Sequence, residues 1–162
     1  MILRIILALL LTIYSNNIFA QSSDQSDNNA HSHEHHKNEI GVAYSGAYFI
    51  NEEVLAHEIH LHYVRSLSES FGFGLGYERI FDEHNHQTIG LIGTYIPVEN
   101  LSFSISPGLS FEDNAPQPKF ALHLETMYEF EVSDFHIGPA LEFAYDSEDI
   151  HLSLGLHIGF GF

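Results

Sequence analysis

Thirteen histidines and 22 carboxylate side chains, set against five Lys+Arg and no cysteine, are the part of this 162-residue sequence that could do chemistry. Neutral imidazoles bind zinc, copper and nickel, and carboxylates complete mixed nitrogen–oxygen sites for the same ions. Twelve of the histidines fall into three groups. His31, His33, His35 and His36 form a His-Ser-His-Glu-His-His tract within a polar stretch. Such a tract can wrap an ion without a preformed site, and it can equally be a solvated linker. His84 and His86 lie in Asp82-Glu83-His84-Asn85-His86, which has the composition of an ordinary polar turn. The third group is scattered: Glu58, His60 and His62 at a spacing of two, then His123, Glu125, Glu142, His151 and His157, joined by Glu78, Glu129 and His136. What that group can do depends on the elements that carry it.

Those elements have the period of β-strands. In the last segment Ile150, Leu152, Leu154, Leu156, Ile158, Phe160 and Phe162 share one face, and His151, Ser153, Gly155, His157, Gly159 and Gly161 share the other. The same alternation puts Phe135, Ile137, Leu141, Phe143 and Tyr145 opposite His136, Gly138, Ala140, Glu142 and Ala144. It recurs over 120–130, 101–111 and 71–78, and less regularly at roughly 40–50, 54–66 and 88–97. Turn signals separate the segments, among them Asn51-Glu52, Asp82 to Gln87, Pro97 to Asn100 and Ser133-Asp134. Eight strands of about ten residues are each long enough to cross a bilayer at ~45° tilt. An even number joined by short hairpins can close, and closure is required because lipid offers no partner to an open sheet edge.

A soluble barrel would turn the apolar face inward, but an eight-stranded lumen is just wide enough for side chains to fill. Leu, Ile, Phe and Tyr from every strand are too bulky for it, whereas the Gly, Ala and Ser of the other face suit it. All seven tyrosines after residue 20 fall on the apolar face. Tyr48, Tyr77 and Tyr145 lie toward one rim and Tyr63, Tyr95 and Tyr128 toward the other, with only Tyr44 nearer mid-strand. Two rings of amphipathic aromatics match the two membrane interfaces. The expectation is an all-β protein: an eight-stranded antiparallel up-and-down transmembrane β-barrel over 39–162, preceded by a disordered N-terminal tail.

Residues 1–20 have one Arg near the start, a short apolar run and a terminal Ala20, the make-up of a cleaved signal peptide. The run falls short of the ~20 residues needed to span a bilayer. Residues 21–38 are polar and His-rich, with too little apolar surface to offset ordering. Preceding the first strand, this tail is expected in the periplasm. The formal charge of −17 excludes a nucleic-acid binder that works by phosphate neutralisation.

The terminal Leu154-Gly155-Leu156-His157-Ile158-Gly159-Phe160-Gly161-Phe162 resembles the C-terminal signal that barrel-assembly machinery reads in bacterial outer-membrane proteins. Together with the leader and the strand count, the chain resembles the small eight-stranded outer-membrane barrels of the OmpA/OmpX type over 39–162. That resemblance implies outer-membrane lipid and the assembly machinery as partners, and transfers no functional residue. The chain is expected to be a monomer. The absence of Trp departs from the usual girdle, and Tyr and Phe serve instead.

With that fold, parity aims the third histidine group into the lumen, while Arg65 and Arg79 point outward and Lys119 sits at one mouth. Buried carboxylates without basic partners must stay protonated, bond to histidine or hold a cation. Two readings stay open for the lumen. One is a structural His–Glu network with waters. The other is a divalent metal (Zn, Cu or Ni) held by part of His60, His62, His123, His151, His157, Glu58, Glu125 and Glu142. His151 and Ser153 hint at a lipid hydrolase, but both face the lumen, away from lipid, so no enzyme is expected. The functional expectation is a non-enzymatic outer-membrane barrel whose His-rich tail binds or buffers divalent transition metals. The alternative is a structural or adhesive surface barrel with no ligand.

Overall fold

The computed structural model describes residues 36–113, 117–147 and 149–162. The leader and the tail up to residue 35, and with them His31, His33 and His35, lie outside the described residues. The strands are β1 (Asn38–Phe49), β2 (Val54–Ser66), β3 (Phe71–Phe81), β4 (Gln87–Val98), β5 (Leu101–Phe111), β6 (Lys119–Tyr128), β7 (Phe130–Val132), β8 (Phe135–Asp146) and β9 (Ile150–Gly161). Each pairs antiparallel with its neighbour, and β1 pairs with β9 to close the sheet. β6 and β7 are two halves of one stave. Both pair with β8 in a single register, Met127 opposite Ala140 and Phe130 opposite Ile137. That register sets Tyr128 and Glu129 against Pro139 and Gly138, and proline has no N–H to give the ladder. The barrel therefore has the expected eight staves, one of them notched at Glu129.

Register fixes the tilt. The path Asn38, Arg65, Phe73, Gly93, Ile105, Leu124, Phe143, Leu152, Tyr48 follows paired residues around the sheet and re-enters β1 ten residues from its start. A stagger of that size over eight strands corresponds to a tilt of about 40°.

The two faces divide as alternation requires. Leu, Ile, Phe, Val and Tyr cover the outside, with Leu154 at 66% and Leu55 at 70% exposure among the most open. So continuous an apolar surface is far beyond the few hundred Å² that a water-soluble monomer exposes. Tyr44, the one tyrosine placed mid-strand, meets His57 on the same outer face, hydroxyl to Nδ1 at 3.0 Å with the rings stacked. That bond satisfies a hydroxyl that cannot reach a headgroup from mid-strand.

Inside, small residues lie across from large ones. His62 faces Gly41 and Gly76, His60 faces Ala43, Glu58 faces Ser45, and Glu125 faces Ser104. The start of β1, the C-terminus and the turns at 67–70, 99–100 and 133–134 gather at one end, the terminal end. At the far end Phe49, Ile80, Ala47 and Ala56 pack into an apolar plug. Beyond the plug His86 is buried rather than turned to solvent, against the expectation of an ordinary polar turn. Its Nδ1 contacts Asp82, its Nε2 lies 3.4 Å from Glu112, and its ring packs on Phe49.

Candidate metal centre in the barrel lumen

β2 delivers Glu58, His60 and His62 inward at successive alternate positions, each buried. Neighbouring staves bring the rest. Glu78 on β3 lies directly across from His60. Glu125 on β6 lies directly across from Glu142 on β8, an opposition of two buried carboxylates that costs stability unless something positive or hydrogen-bonding intervenes. Histidines intervene on both sides. His60 Nδ1 is 3.5 Å from Glu125, and His123 Nδ1 is 3.1 Å from Glu78 and 3.3 Å from Glu142. His151 Nε2 lies 3.7 Å from Glu142, and the hydroxyl of Ser153 donates to Glu58. Ser153 thus bonds to a carboxylate rather than to His151.

Nearer the terminal end His62 Nε2 bonds to Glu39 at 3.0 Å and its ring stacks on His157. His157, fully buried, has its Nδ1 3.1 Å from Glu129, and His136 Nε2 stands 3.3 Å from both Glu39 and Glu129. At that mouth His36 lies 3.7 Å from Asp134.

Every lumen residue singled out by parity is inside: His60, His62, His123, His151, His157, Glu58, Glu125 and Glu142. Glu78, Glu129 and His136 join them, as the alternation placed them. Glu39 was overlooked, although it continues the inward parity of Gly41 and Ala43. No Lys or Arg among the described residues reaches this set. Arg79 lies over the Phe81 ring on the outside, Arg65 is exposed, and Lys119 pairs with Glu112 at 2.7 Å by the far mouth.

Many of these close nitrogen–oxygen approaches lack hydrogen-bond geometry. His60 Nδ1, Glu78 Oε2, Glu129 Oε1, His136 Nε2, Glu142 Oε1 and both ring nitrogens of His151 and His157 are buried without a hydrogen-bond partner. Nitrogen and oxygen atoms that converge in this way are completed by a proton on the imidazole or by a cation held between them. Ligand atoms lie within 4.8 Å of one another in Glu58, Glu78, Glu142 and His151, and again in His60, Glu125 and Glu142. Alongside lies a cavity of about 40 Å³ lined by His60, Glu78, His123, Gly90 on β4 and Ser102, Ser104 and Ser106 on β5. It has room for roughly three waters.

Closed staves, an apolar exterior and a tightly filled polar interior define the class of small eight-stranded transmembrane barrels. No protein-family model matches the sequence, and no curated protein matches it. Solved structures are similar in fold. Ail, the attachment invasion locus protein of Yersinia pestis in complex with the heparin analogue sucrose octasulfate, has a TM-score of 0.57 at 12% identity, over 77% of this chain and 97% of that one. Neisserial surface protein A also has a TM-score of 0.57, at 11% identity over 77% and 96% of the two chains. The N-terminal β-barrel domain of Pseudomonas aeruginosa OprF has a TM-score of 0.51 at 18% identity, over 78% and 99%. The chain has the fold of a small bacterial outer-membrane barrel, as alternation and the terminal strand led one to expect.

Proposed function

We propose that this protein is a non-enzymatic outer-membrane barrel that holds divalent transition-metal ions between the imidazoles and carboxylates of its lumen. One observation carries the reading. The buried carboxylates Glu58, Glu78, Glu125 and Glu142 share a lumen in which, among the described residues, histidine is the only basic side chain, and many of the facing ligand atoms make no hydrogen bond. The ligand set is nitrogen and oxygen without sulfur, which suits zinc, copper or nickel. The terminal end is the periplasmic one in this reading, since it carries the two-residue turns 99–100 and 133–134. The tail before β1 is then on the periplasmic side, and the Phe49–Ile80 plug closes the far, outer end of the lumen.

An adhesive role of the kind suggested by the polysulfated ligand of Ail has less support here. The far-end turns carry Glu52, Glu53, Asp82, Glu83, Glu112 and Asp113, the wrong sign of charge for a polyanion.

The test uses the full chain in detergent, with His31, His33 and His35 replaced by glutamine so that the tract does not compete. Metal content after native purification and titration with Zn²⁺, Cu²⁺ and Ni²⁺ are the readouts. At least one ion should be retained or should bind more tightly than to a generic oligohistidine peptide. Binding no tighter than the peptide, with no ion retained, would end the proposal.

A further inference from the structure

We infer that Glu39, Glu129, His136 and His157 form a distinct four-coordinate site for a zinc-type divalent ion at the terminal mouth of the lumen. The inference rests on the metal-holding reading above and assigns it a site separate from the deeper Glu58–Glu78–Glu142–His151 cluster.

The argument is geometric. Ligands at the ~2.0–2.1 Å bond lengths of zinc, arranged as a tetrahedron, stand roughly 3.3 Å apart. His136 Nε2 is 3.3 Å from Glu39 Oε1 and 3.3 Å from Glu129 Oε1, and His157 Nδ1 is 3.1 Å from Glu129 Oε1. One ligand atom from each of the four residues lies within 4.8 Å of the others. Glu129 Oε1, His136 Nε2 and His157 Nδ1 are buried without hydrogen-bond partners, and His157 has no exposed surface. These atoms are therefore grouped at ligand spacing without meeting one another in hydrogen-bond geometry. Two imidazoles and two carboxylates favour a transition ion over calcium or magnesium.

The surroundings hold the set in place. His62 bonds to Glu39 and stacks on His157, the kind of outer-shell support that orients ligands. Glycine makes the room: a Cβ at Gly159 would collide with His136 Nε2, and one at Gly41 with the rings of His62 and His157. Glu129 occupies the notch between β6 and β7, where the ladder to β8 lapses. Its backbone is pinned instead by Asn100, which accepts from the Glu129 N–H at 2.9 Å and donates through Nδ2 to its carbonyl at 2.7 Å. The four ligands come from β1, the notch, β8 and β9, so a bound ion would tie both sides of the closing seam.

Cobalt(II) tests the site, because four-coordinate Co²⁺ absorbs intensely in the visible range and six-coordinate Co²⁺ does not. Metal-stripped full chain carrying the three tail glutamines is titrated with Co²⁺ and then with Zn²⁺. The expected result is a four-coordinate spectrum that Zn²⁺ abolishes. Glu129→Gln and His136→Gln should each weaken Co²⁺ binding by at least ~10–100-fold, with folding checked by heat-modifiable gel migration. His57→Gln, on the outer face and outside both clusters, should leave the spectrum unchanged, and Glu142→Gln reports on the deeper cluster. If folded Glu129→Gln and His136→Gln proteins keep the wild-type spectrum and affinity, the mouth site is wrong. If Glu142→Gln alone removes the spectrum, this site falls and the broader lumen reading stands. If no version binds an ion, both fall.

Discussion

Arginine in place of Leu156 separates a lipid-facing surface from a watery one. Leu156 is half exposed on β9, across from Tyr44 on one side and Pro139 on the other. It lies six residues from Ile150 and five from Gly161. At ~3.3 Å per residue and a tilt of about 40°, each residue advances ~2.5 Å along the barrel axis. Leu156 therefore sits ~15 Å from one rim and ~13 Å from the other, at the middle of an apolar band that is typically ~25 Å tall. Arg at that depth costs about 2–4 kcal/mol, against ~0–1 kcal/mol near an interface. Leu55→Arg, at the second residue of β2 and exposed on the outer face across from Tyr48, supplies the rim control. The folding equilibrium in lipid vesicles should shift roughly 30- to 700-fold for Leu156→Arg and far less for Leu55→Arg. With no tryptophan in the chain, urea titrations are followed by circular dichroism and by the gel shift of the folded band. Equal costs at the two positions, or a Leu156→Arg effect within the ~0.5 kcal/mol of an ordinary surface change, would refute the membrane reasoning.

Two further outcomes follow from the lumen. His123→Ala leaves Glu78 and Glu142, both buried and both within 3.3 Å of the lost nitrogen, without it, and should cost about 3–5 kcal/mol in metal-free buffer. Adding Glu78→Gln should return part of that loss, and a double variant no more stable than the single one in urea would show that the carboxylates do not act through His123. Phe49→Ala, which removes the largest side chain of the far-end plug, should cost about 3–5 kcal/mol. It should also speed the stripping of bound Zn²⁺ by a bulky chelator added to the outer face of reconstituted vesicles, and an unchanged rate would mean that the plug is not the seal.

Much of this architecture is legible because a period of two assigns a side to every residue once one side is known. β9 shows this most fully, from Ile150 to Phe160 without an exception, and all seven tyrosines beyond residue 20 fall on the outer face as the alternation places them. What parity cannot show is height. Glu39 meets Glu129, His136 and His157 only because the sheet closes with a ten-residue stagger, a property of eight registers together. The notch at Glu129 is set by Pro139, a residue of a different strand. The Phe49 half of the plug is hidden in Tyr48-Phe49-Ile50, an apolar run in which alternation is invisible. His86 looked like turn solvent because its burial comes from Phe49 and Glu112, both distant in sequence. Faces are local information, whereas tiers and plugs are not.

The pairing of β1 with β9 also governs when the fold can exist. Every other junction joins staves adjacent along the chain, whereas Glu39 must find Gly161. The entropy of closing so long a loop grows only logarithmically with its length, so distance alone is a mild obstacle. The larger consequence concerns timing. Until the last strand is delivered, β1 and the newest strand both present a row of free N–H and C=O groups, an invitation to any other chain. One pairing event then removes both edges together. Assembly is in this sense all or nothing at its final step, and a growing chain of this design needs an escort until its last dozen residues arrive.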